Sequence, residues 1–205
     1  MPFDKSIRRM HVMINTMHRN AIQVLKDRDT ETAEDINRMD ADVDRLNWLI
    51  ARQYNRAMRD AKTAERIGVT TSIATMYYLT SRILERIADH AVIIANNAKE
   101  IANKKIDKRI LDFIDQTSIM AIGIFNDSME SMFKKDIQRS NDAIRSVPEL
   151  VRKCNALTHN IVNLNAQNAT SLGYIVESIR RTGEYSRNIS ECVINTFVGE
   201  MEIIM

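Results

Sequence analysis

The fold of this chain is decided by residues 81–101, which read SRILERIADHAVIIANNAKEI. The stretch contains neither glycine nor proline, and its apolar side chains recur every three or four residues. That spacing is typical of an amphipathic helix. The apolar positions are Ile83, Leu84, Ile87, Ala91, Ile94, Ala98 and Ile101. We therefore expect one long helix that buries this face.

A second face of the same helix carries two acidic side chains one turn apart. At about 100° per residue, Glu85 and Asp89 lie opposite the isoleucines, in line with Tyr78, Val92 and Asn96. A face that meets only water rarely carries both a tyrosine and a valine. We therefore expect this second face to contact another part of the protein.

The acidic pair has two interpretations at this point. Carboxylates at positions i and i+4 supply oxygen ligands from one side of a helix, which suits a hard or borderline cation. With Arg82 and Arg86 beside them, Glu85 and Asp89 also suit an ordinary ladder of ion pairs on a helix surface. The residues of this helix alone favour the ion-pair ladder.

The composition predicts an all-α protein. Of the 205 residues, 44% are hydrophobic and 27% charged, and only 5 are glycine and 2 proline. This leaves little material for hairpins and favours long helices. The formal net charge of +2 gives no reason to expect a nucleic acid or an anionic membrane as partner.

The cysteines and the hydropathy pattern indicate a cytoplasmic protein. Cys154 and Cys192 are isolated, as expected of core thiols in a reducing compartment, and a disulfide between them is the less favoured alternative. No stretch reaches the roughly 18 apolar residues of a membrane-spanning helix. The first residues, MPFDK, lack the apolar region of a signal peptide.

The same periodicity predicts six helices. They span about residues 4–25, 31–61, 71–104, 106–134, 136–162 and 168–202. Asp29 or Thr30 is the expected N-cap of the second helix, and Thr71 or Ser72 that of the third. In the fifth helix, Ser146 and Glu149 flank Pro148 in a capping-box pattern, which predicts a kink or a restart there.

Three helices followed by three helices suggest an internal repeat. Residues 74–101 align without a gap with residues 169–196, and the first two helices align with the fourth and fifth after allowing for extra length at residues 57–71. We therefore predict a tandem repeat of two three-helix bundles, over residues 1–104 and 105–205.

The motif LERIADHA at residues 84–91, together with the tandem repeat, resembles the signature of the PhoU family of phosphate-uptake regulators. Members of that family, including archaeal proteins, carry an ExxxD-type motif on the third helix of each repeat. They also carry aspartates on the second helix, where this chain has Asp40 and Asp44. The resemblance covers essentially the whole chain.

The resemblance implies a non-enzymatic, cytoplasmic regulator of phosphate transport and phosphate-dependent signalling. Its expected partners are components of a phosphate ABC transporter and a histidine kinase, and its expected state is a homodimer. The expected metal ligands are Glu85 and Asp89, joined by Asp40 and Asp44, holding Fe, Mn, Zn, Ni or Mg as an ion or cluster. Carboxylates without thiolates or imidazoles suit Fe, Mn or Mg better than structural zinc.

The second repeat departs from this pattern. The residues at the positions of Asp40, Asp44, Glu85 and Asp89 are Pro148, Arg152, Arg180 and Glu184. An equivalent second metal site is therefore not expected. Arg152, Arg180 and Arg181 either form ion pairs with Glu177 and Glu184, which we favour, or offer a cationic patch to an acidic partner or a phosphate group.

Three other functions compete with this interpretation. A di-iron enzyme needs Glu-x-x-His motifs, yet no histidine of this chain follows a glutamate at that spacing and no other catalytic motif is present, so we expect no enzyme. In some archaeal proteins PhoU-like repeats follow a DNA-binding domain, but here the first helix begins close to Met1. No basic recognition helix is found either. A metal-free scaffold that docks a basic partner helix on the acidic face remains open.

Overall fold

The structure, a computed structural model, describes residues 3–59, 69–162 and 164–201, the last three by backbone alone. The helices are α1 (Phe3–Asp27), α2 (Thr30–Arg59), α3 (Thr71–Glu100), α4 (Lys108–Lys134), α5 (Ile137–Ile161) and α6 (Ala166–Met201). No strand occurs in these described ranges. The predicted all-α fold of long helices is confirmed.

The helices begin where side-chain oxygens accept the first backbone N–H groups. Asp29 accepts from the N–H groups of Glu31 and Thr32 at 3.0 and 3.4 Å, so its predicted capping role is confirmed. For α3 the predicted cap was wrong by a residue, because the hydroxyl of Thr70 accepts from the N–H of Ile73 at 3.2 Å. Its extended backbone leaves that hydroxyl facing the first turn.

Helix α5 runs through Pro148 without a restart, so that predicted alternative is wrong. The Ser146 hydroxyl donates to the carbonyl of Asp142 at 3.0 Å, within the preceding helical turn, and caps nothing. Glu149 pairs with Arg152 on the next turn. A proline removes one backbone hydrogen bond from a helix. The helix is nevertheless continuous here, and the neighbouring Val147 and Leu150 are packed into the core.

The six helices are consistent with two three-helix bundles. Helices α1, α2 and α3 pack together, as do α4, α5 and α6. The two groups meet mainly along α3 and α6, with a narrower contact between α1 and α4. Helix α3 therefore packs against α1, α2 and α6 at once, and its alanines at positions 88, 91, 95 and 98 are fully buried.

Three histidines of the first repeat form hydrogen bonds to the second repeat. The pairs are His11–Asn126 (2.8 Å), His18–Ser118 (2.9 Å) and His90–Ser178 (3.1 Å). Burial, with a smaller contribution from His90, lowers the pKa of His18 to about 4. His18 is therefore neutral near pH 7, and it joins the repeats by a hydrogen bond between uncharged groups.

The two cysteines are free, with Cys154 buried and Cys192 half-buried, so the disulfide alternative is wrong. Within the described ranges, every helix is too short or too polar to cross a bilayer. The predicted extra length of the first repeat, at residues 57–71, falls largely outside the described residues. The C-terminal residues 203–205 also lie outside them.

The close approach of α5 and α6 gives a test of the packing. A Cβ atom on Gly183 would overlap Cδ2 of the buried Leu150, whereas a Cβ on Gly173 would meet no atom within 4 Å. We expect Gly183→Ala to lower the free energy of unfolding by about 1–3 kcal/mol through overpacking. Gly173→Ala, the matched control on the same helix, should raise it by about 0.5–1 kcal/mol. Urea unfolding followed by circular dichroism measures both, and equal stability of the two variants would contradict this packing.

Candidate functional site

Helices α2 and α3 run antiparallel, and four contacts fix their register. The contacts are Glu34–Lys99 (3.2 Å), Asn37–Asn96 (3.4 Å), Asn47–Ser81 (3.0 Å) and the stacked rings of Tyr54 and Tyr78, whose centroids lie 4.5 Å apart. Residue numbers rise along α2 as they fall along α3. The second face of α3 therefore contacts α2, which confirms the expectation from its tyrosine and valine that this face meets another part of the protein.

This register brings four acidic residues together. Asp40 and Asp44 of α2 lie between the Asn37 and Asn47 contacts, and Glu85 and Asp89 of α3 lie between their partners. We call these four residues the carboxylate face. The structure thus places the predicted acidic residues of both helices on one stretch of the α2–α3 contact.

The carboxylate face carries electrostatic repulsion. Burial, followed by the charges of Asp89, Asp44 and Glu85, raises the pKa of Asp40 to about 6. The pKa of Glu85 is raised by burial and by both neighbouring aspartates, against the opposing effect of Arg82 and Arg86. The pKa of Asp89 is raised by burial and then by Asp44. Burial and the neighbouring negative charges thus favour the protonated forms of Asp40, Glu85 and Asp89.

The nearby arginines do not neutralise this face. None of its four acids forms an ion pair with a residue that the structure describes, although such pairs are common elsewhere on these helices. The ladder of ion pairs that Arg82 and Arg86 could have formed with Glu85 and Asp89 is therefore absent from the described side chains. Perturbed pKa values without a compensating partner are typical of functional sites.

Asp40 is the acid of the carboxylate face that has a buried oxygen atom without a hydrogen bond in the part of the chain that the structure describes. Its Oδ1 atom is buried and accepts no hydrogen bond from the described residues. Buried polar atoms normally have a partner, and a proton, a metal ion or a basic side chain would each supply one. The chemistry of the four carboxylates fits a hard or borderline cation.

The oxygen atoms of the carboxylate face are not gathered around one point. Among the described residues, no three His, Cys, Asp or Glu side chains are placed to hold one metal ion together. The backbone brings the four acids to one face, but their side chains do not converge as metal ligands in this arrangement. Joint coordination of an ion would require these side chains to change rotamer.

The second repeat is electrostatically balanced at the corresponding place. Arg180 pairs with Glu177 and Glu184, and Arg181 contacts the same two glutamates at 2.8 and 3.3 Å. Although burial acts to raise it, the pKa of Glu177 is lowered by hydrogen bonds from both arginines. Arg152 pairs with Glu149. The expected ion pairs with Glu177 and Glu184 are confirmed for Arg180 and Arg181, whereas Arg152 pairs with a glutamate of its own helix instead.

Trp48 is a surface residue that the sequence analysis did not single out. Its side chain is 68% exposed and lines a groove of about 330 Å³ together with Arg52, Arg82 and Glu85. The groove adjoins the carboxylate face along the α2–α3 contact. The sequence could have indicated this exposure, because Trp48 lies on α2 outside the apolar stripe to which Leu46 and Ile50 belong.

The raised pKa of Asp40 makes stability depend on pH. The carboxyl of Asp40 has a pKa of 3.8 in the unfolded chain and of about 6 in the folded one. Its protonated form therefore stabilises the folded protein at low pH, and this stabilisation is lost as the pH rises through about 6. Asp40→Asn should therefore raise the free energy of unfolding at pH 7 by on the order of 1 kcal/mol, after allowance for solvent screening.

The increase in the free energy of unfolding caused by Asp40→Asn should disappear below about pH 4, because Asp40 is then protonated in both the folded and the unfolded protein. Urea unfolding between pH 3.5 and 8 measures this. Asp35 lies on the same helix and pairs with Arg38, so Asp35→Asn should give no such gain at pH 7. A pH-independent effect of Asp40→Asn would contradict the coupling within the carboxylate face.

Two comparisons relate the chain to known proteins, and a third finds none. Residues 7–98 match the family model described as PhoU domain. The phosphate transport system regulatory protein PhoU from Streptococcus pneumoniae is 17% identical, with a TM-score of 0.85 over 96% of this chain and 94% of that one. PhoU from Pseudomonas aeruginosa is 16% identical, with a TM-score of 0.87 over 96% of each chain. No curated protein matches the chain in sequence.

The matched residues 7–98 contain the motif at residues 84–91 and all four acids of the carboxylate face. The structural likeness extends beyond them to both repeats. The resemblance inferred from the third-helix motif is thereby confirmed. Residues 7–98 of this chain match the PhoU domain model, and the chain as a whole shares the fold of the two PhoU structures.

Proposed function

We propose that this protein regulates phosphate transport and phosphate-dependent signalling without catalysing a reaction. It acts by contact with components of a phosphate ABC transporter and a histidine kinase, as a homodimer in the cytoplasm. The PhoU domain at residues 7–98 and the fold shared with a phosphate transport regulator support this proposal. The observation that carries it is the carboxylate face, which is acidic, partly buried and without ion-pair partners among the described residues.

Within this proposal the carboxylate face is a cation site. Asp40 and Asp44 from α2, with Glu85 and Asp89 from α3, would hold Fe, Mn, Zn, Ni or Mg. The bound cation supplies positive charge that offsets the repulsion among the four acids. Its requirement for several oxygen ligands would draw side chains from both helices, which ties α2 to α3. Partner recognition would then depend on how α2 and α3 are held together.

A basic segment of a partner protein is the second candidate for this face. The separation of the four side chains in the described structure favours it, since a lysine or arginine does not require three converging ligands. Asp89 is exposed, so a partner side chain can reach it without a rearrangement of the helices. The exposed Trp48 in the adjoining groove offers an aromatic contact for the same partner.

Metal content separates the two candidates. We expect the purified protein to contain a stoichiometric metal ion by elemental analysis, and Glu85→Gln/Asp89→Asn to lose it. The control Glu177→Gln/Glu184→Gln changes the corresponding region of the second repeat and should keep the metal. In the wild type, ions added at about 100 times their Kd should stabilise the fold by about 2.7 kcal/mol. A metal-free wild-type protein that does not respond to added ions would exclude the cation site and leave the basic partner.

Partner capture tests the regulatory role itself. We expect the tagged protein to co-purify components of a phosphate transporter or a histidine kinase from its native cells. Glu85→Lys/Asp89→Lys should reduce this capture at least about tenfold, because it reverses charge at the centre of the face. The control Asp35→Lys/Asp142→Lys introduces the same charges at exposed sites away from the face and should retain capture. Absence of both partner classes from the wild-type sample would contradict the proposed function.

A further inference from the structure

A groove between α1 and α4 runs along the junction of the two repeats. It has a volume of about 460 Å³, and α1 lines it with Arg19, Ile22 and Gln23. Helix α4 lines it with Asp115, Ser118, Ile119, Ile122, Gly123 and Asn126. Its volume falls within the range of roughly 300–1,000 Å³ that is typical of small-molecule sites. The narrow contact between α1 and α4 leaves this space open while α3 and α6 pack tightly behind it.

Part of the groove's wall is apolar. Ile22 and Ile122 contribute nearly buried side chains, and the side chain of Ile119 is 65% exposed. Gly123 follows Ile122 on α4, and a Cβ atom added there would meet no atom within 4 Å. The absence of a side chain at this position keeps the groove open, although no neighbouring atom would prevent a larger residue there.

One charge in the groove is uncompensated. Asp115 is paired with Lys26 at 3.0 Å. Gln23 donates to Asp27. Arg19 forms no ion pair and no hydrogen bond with any residue that the structure describes, and it also lines the groove. A concave apolar surface with one unpaired guanidinium is complementary to an apolar molecule with one anionic group.

The inner wall of the groove is connected to the hydrogen bonds that join the repeats. Ser118 and Asn126 line the groove and bond to His18 and His11 of the first repeat. His18 is fully buried, and its Nδ1 atom has no hydrogen-bond partner among the described residues. A molecule in the groove would therefore contact the polar groups that hold α1 to α4.

The size of the groove argues against a macromolecular partner. Three isoleucines and a glycine form its apolar lining, whereas a specific protein interface buries about 800 Å² on each partner. We propose that the groove between α1 and α4 binds a small organic anion with an apolar body, whose charge pairs with Arg19 and whose body occupies the space left by Gly123. This proposal is independent of the cation site and of the regulatory role.

Anilinonaphthalenesulfonate, an apolar aromatic anion, is a suitable probe. We expect it to bind the folded wild-type protein at one site per chain in isothermal titration calorimetry. Gly123→Leu fills the groove and Arg19→Gln removes its charge, and each should raise the Kd at least about tenfold. Gly173→Leu adds the same side chain at another unobstructed helical glycine, and its Kd should stay within about twofold of the wild type.

The uncharged analogue N-phenylnaphthylamine separates the two parts of the site. Its binding should be weakened by Gly123→Leu and unaffected by Arg19→Gln, since it lacks the anionic group. Urea unfolding of each variant confirms that the folded protein is being compared. Failure of the wild type to bind the anionic probe, or an equal effect of Gly123→Leu and Gly173→Leu, would overturn the proposal. So would a change from dimer to monomer in Gly123→Leu with unchanged probe affinity, because a second copy of the chain would then cover the groove.

Discussion

Helix α3 has to pack against three other helices at once, and the rest of the structure depends on this constraint. Its contacts with α1 and α2 build the first bundle, and its contact with α6 joins the first bundle to the second. The small side chains at Ala88, Ala91, Ala95 and Ala98 allow close approach on the buried sides. An acidic pair on such a helix cannot lie on a wholly free surface. Glu85 and Asp89 are therefore held beside α2, where Asp40 and Asp44 meet them.

The two repeats share one architecture, but within the described part of the chain the charges at corresponding positions are unpaired in the first repeat and balanced in the second. In the first repeat, four acids share a face without a cationic partner among the described residues, and burial makes their charges costly. In the second, Arg180 takes the position of Glu85 and neutralises Glu177 and Glu184 within its own helix. Residues that lower stability without a structural benefit are expected at functional sites. This asymmetry is the physical reason for assigning function to the first repeat.

Helical periodicity was sufficient to predict the six helices of the described residues, and alignment of the chain with itself predicted the two three-helix bundles with which they are consistent. That the second face of α3 contacts another part of the protein was also predictable, because a face that meets only water rarely carries both Tyr78 and Val92. Inter-helix register was not, because periodicity describes each helix separately. The resemblance alone suggested that Asp40 and Asp44 join Glu85 and Asp89. The Asn37–Asn96 and Asn47–Ser81 contacts were needed to establish it.

Other features could not be predicted because they depend on the distance between helices or on which of several possible partners a polar side chain binds. The groove between α1 and α4 results from how the repeats are set apart, which no pattern within a helix reports. Ser146 and Glu149 fit a capping box in sequence, yet both side chains bond within a continuous helix. Whether Arg180 and Arg181 pair locally or face a partner was likewise left open by the sequence. The structure shows that both arginines pair with Glu177 and Glu184 of the same helix.

The most direct test of the carboxylate face is a titration of the folded protein with Mn²⁺, followed by the NMR signals of the side-chain carboxyl carbons. A paramagnetic ion broadens the signals of the groups that hold it, so this measurement reports position as well as binding. We expect Asp40, Asp44, Glu85 and Asp89 to broaden together at low Mn²⁺ concentration, while Glu177 and Glu184 remain sharp. Equal broadening of exposed acids on both repeats, or none at the carboxylate face, would contradict a cation site in the first repeat.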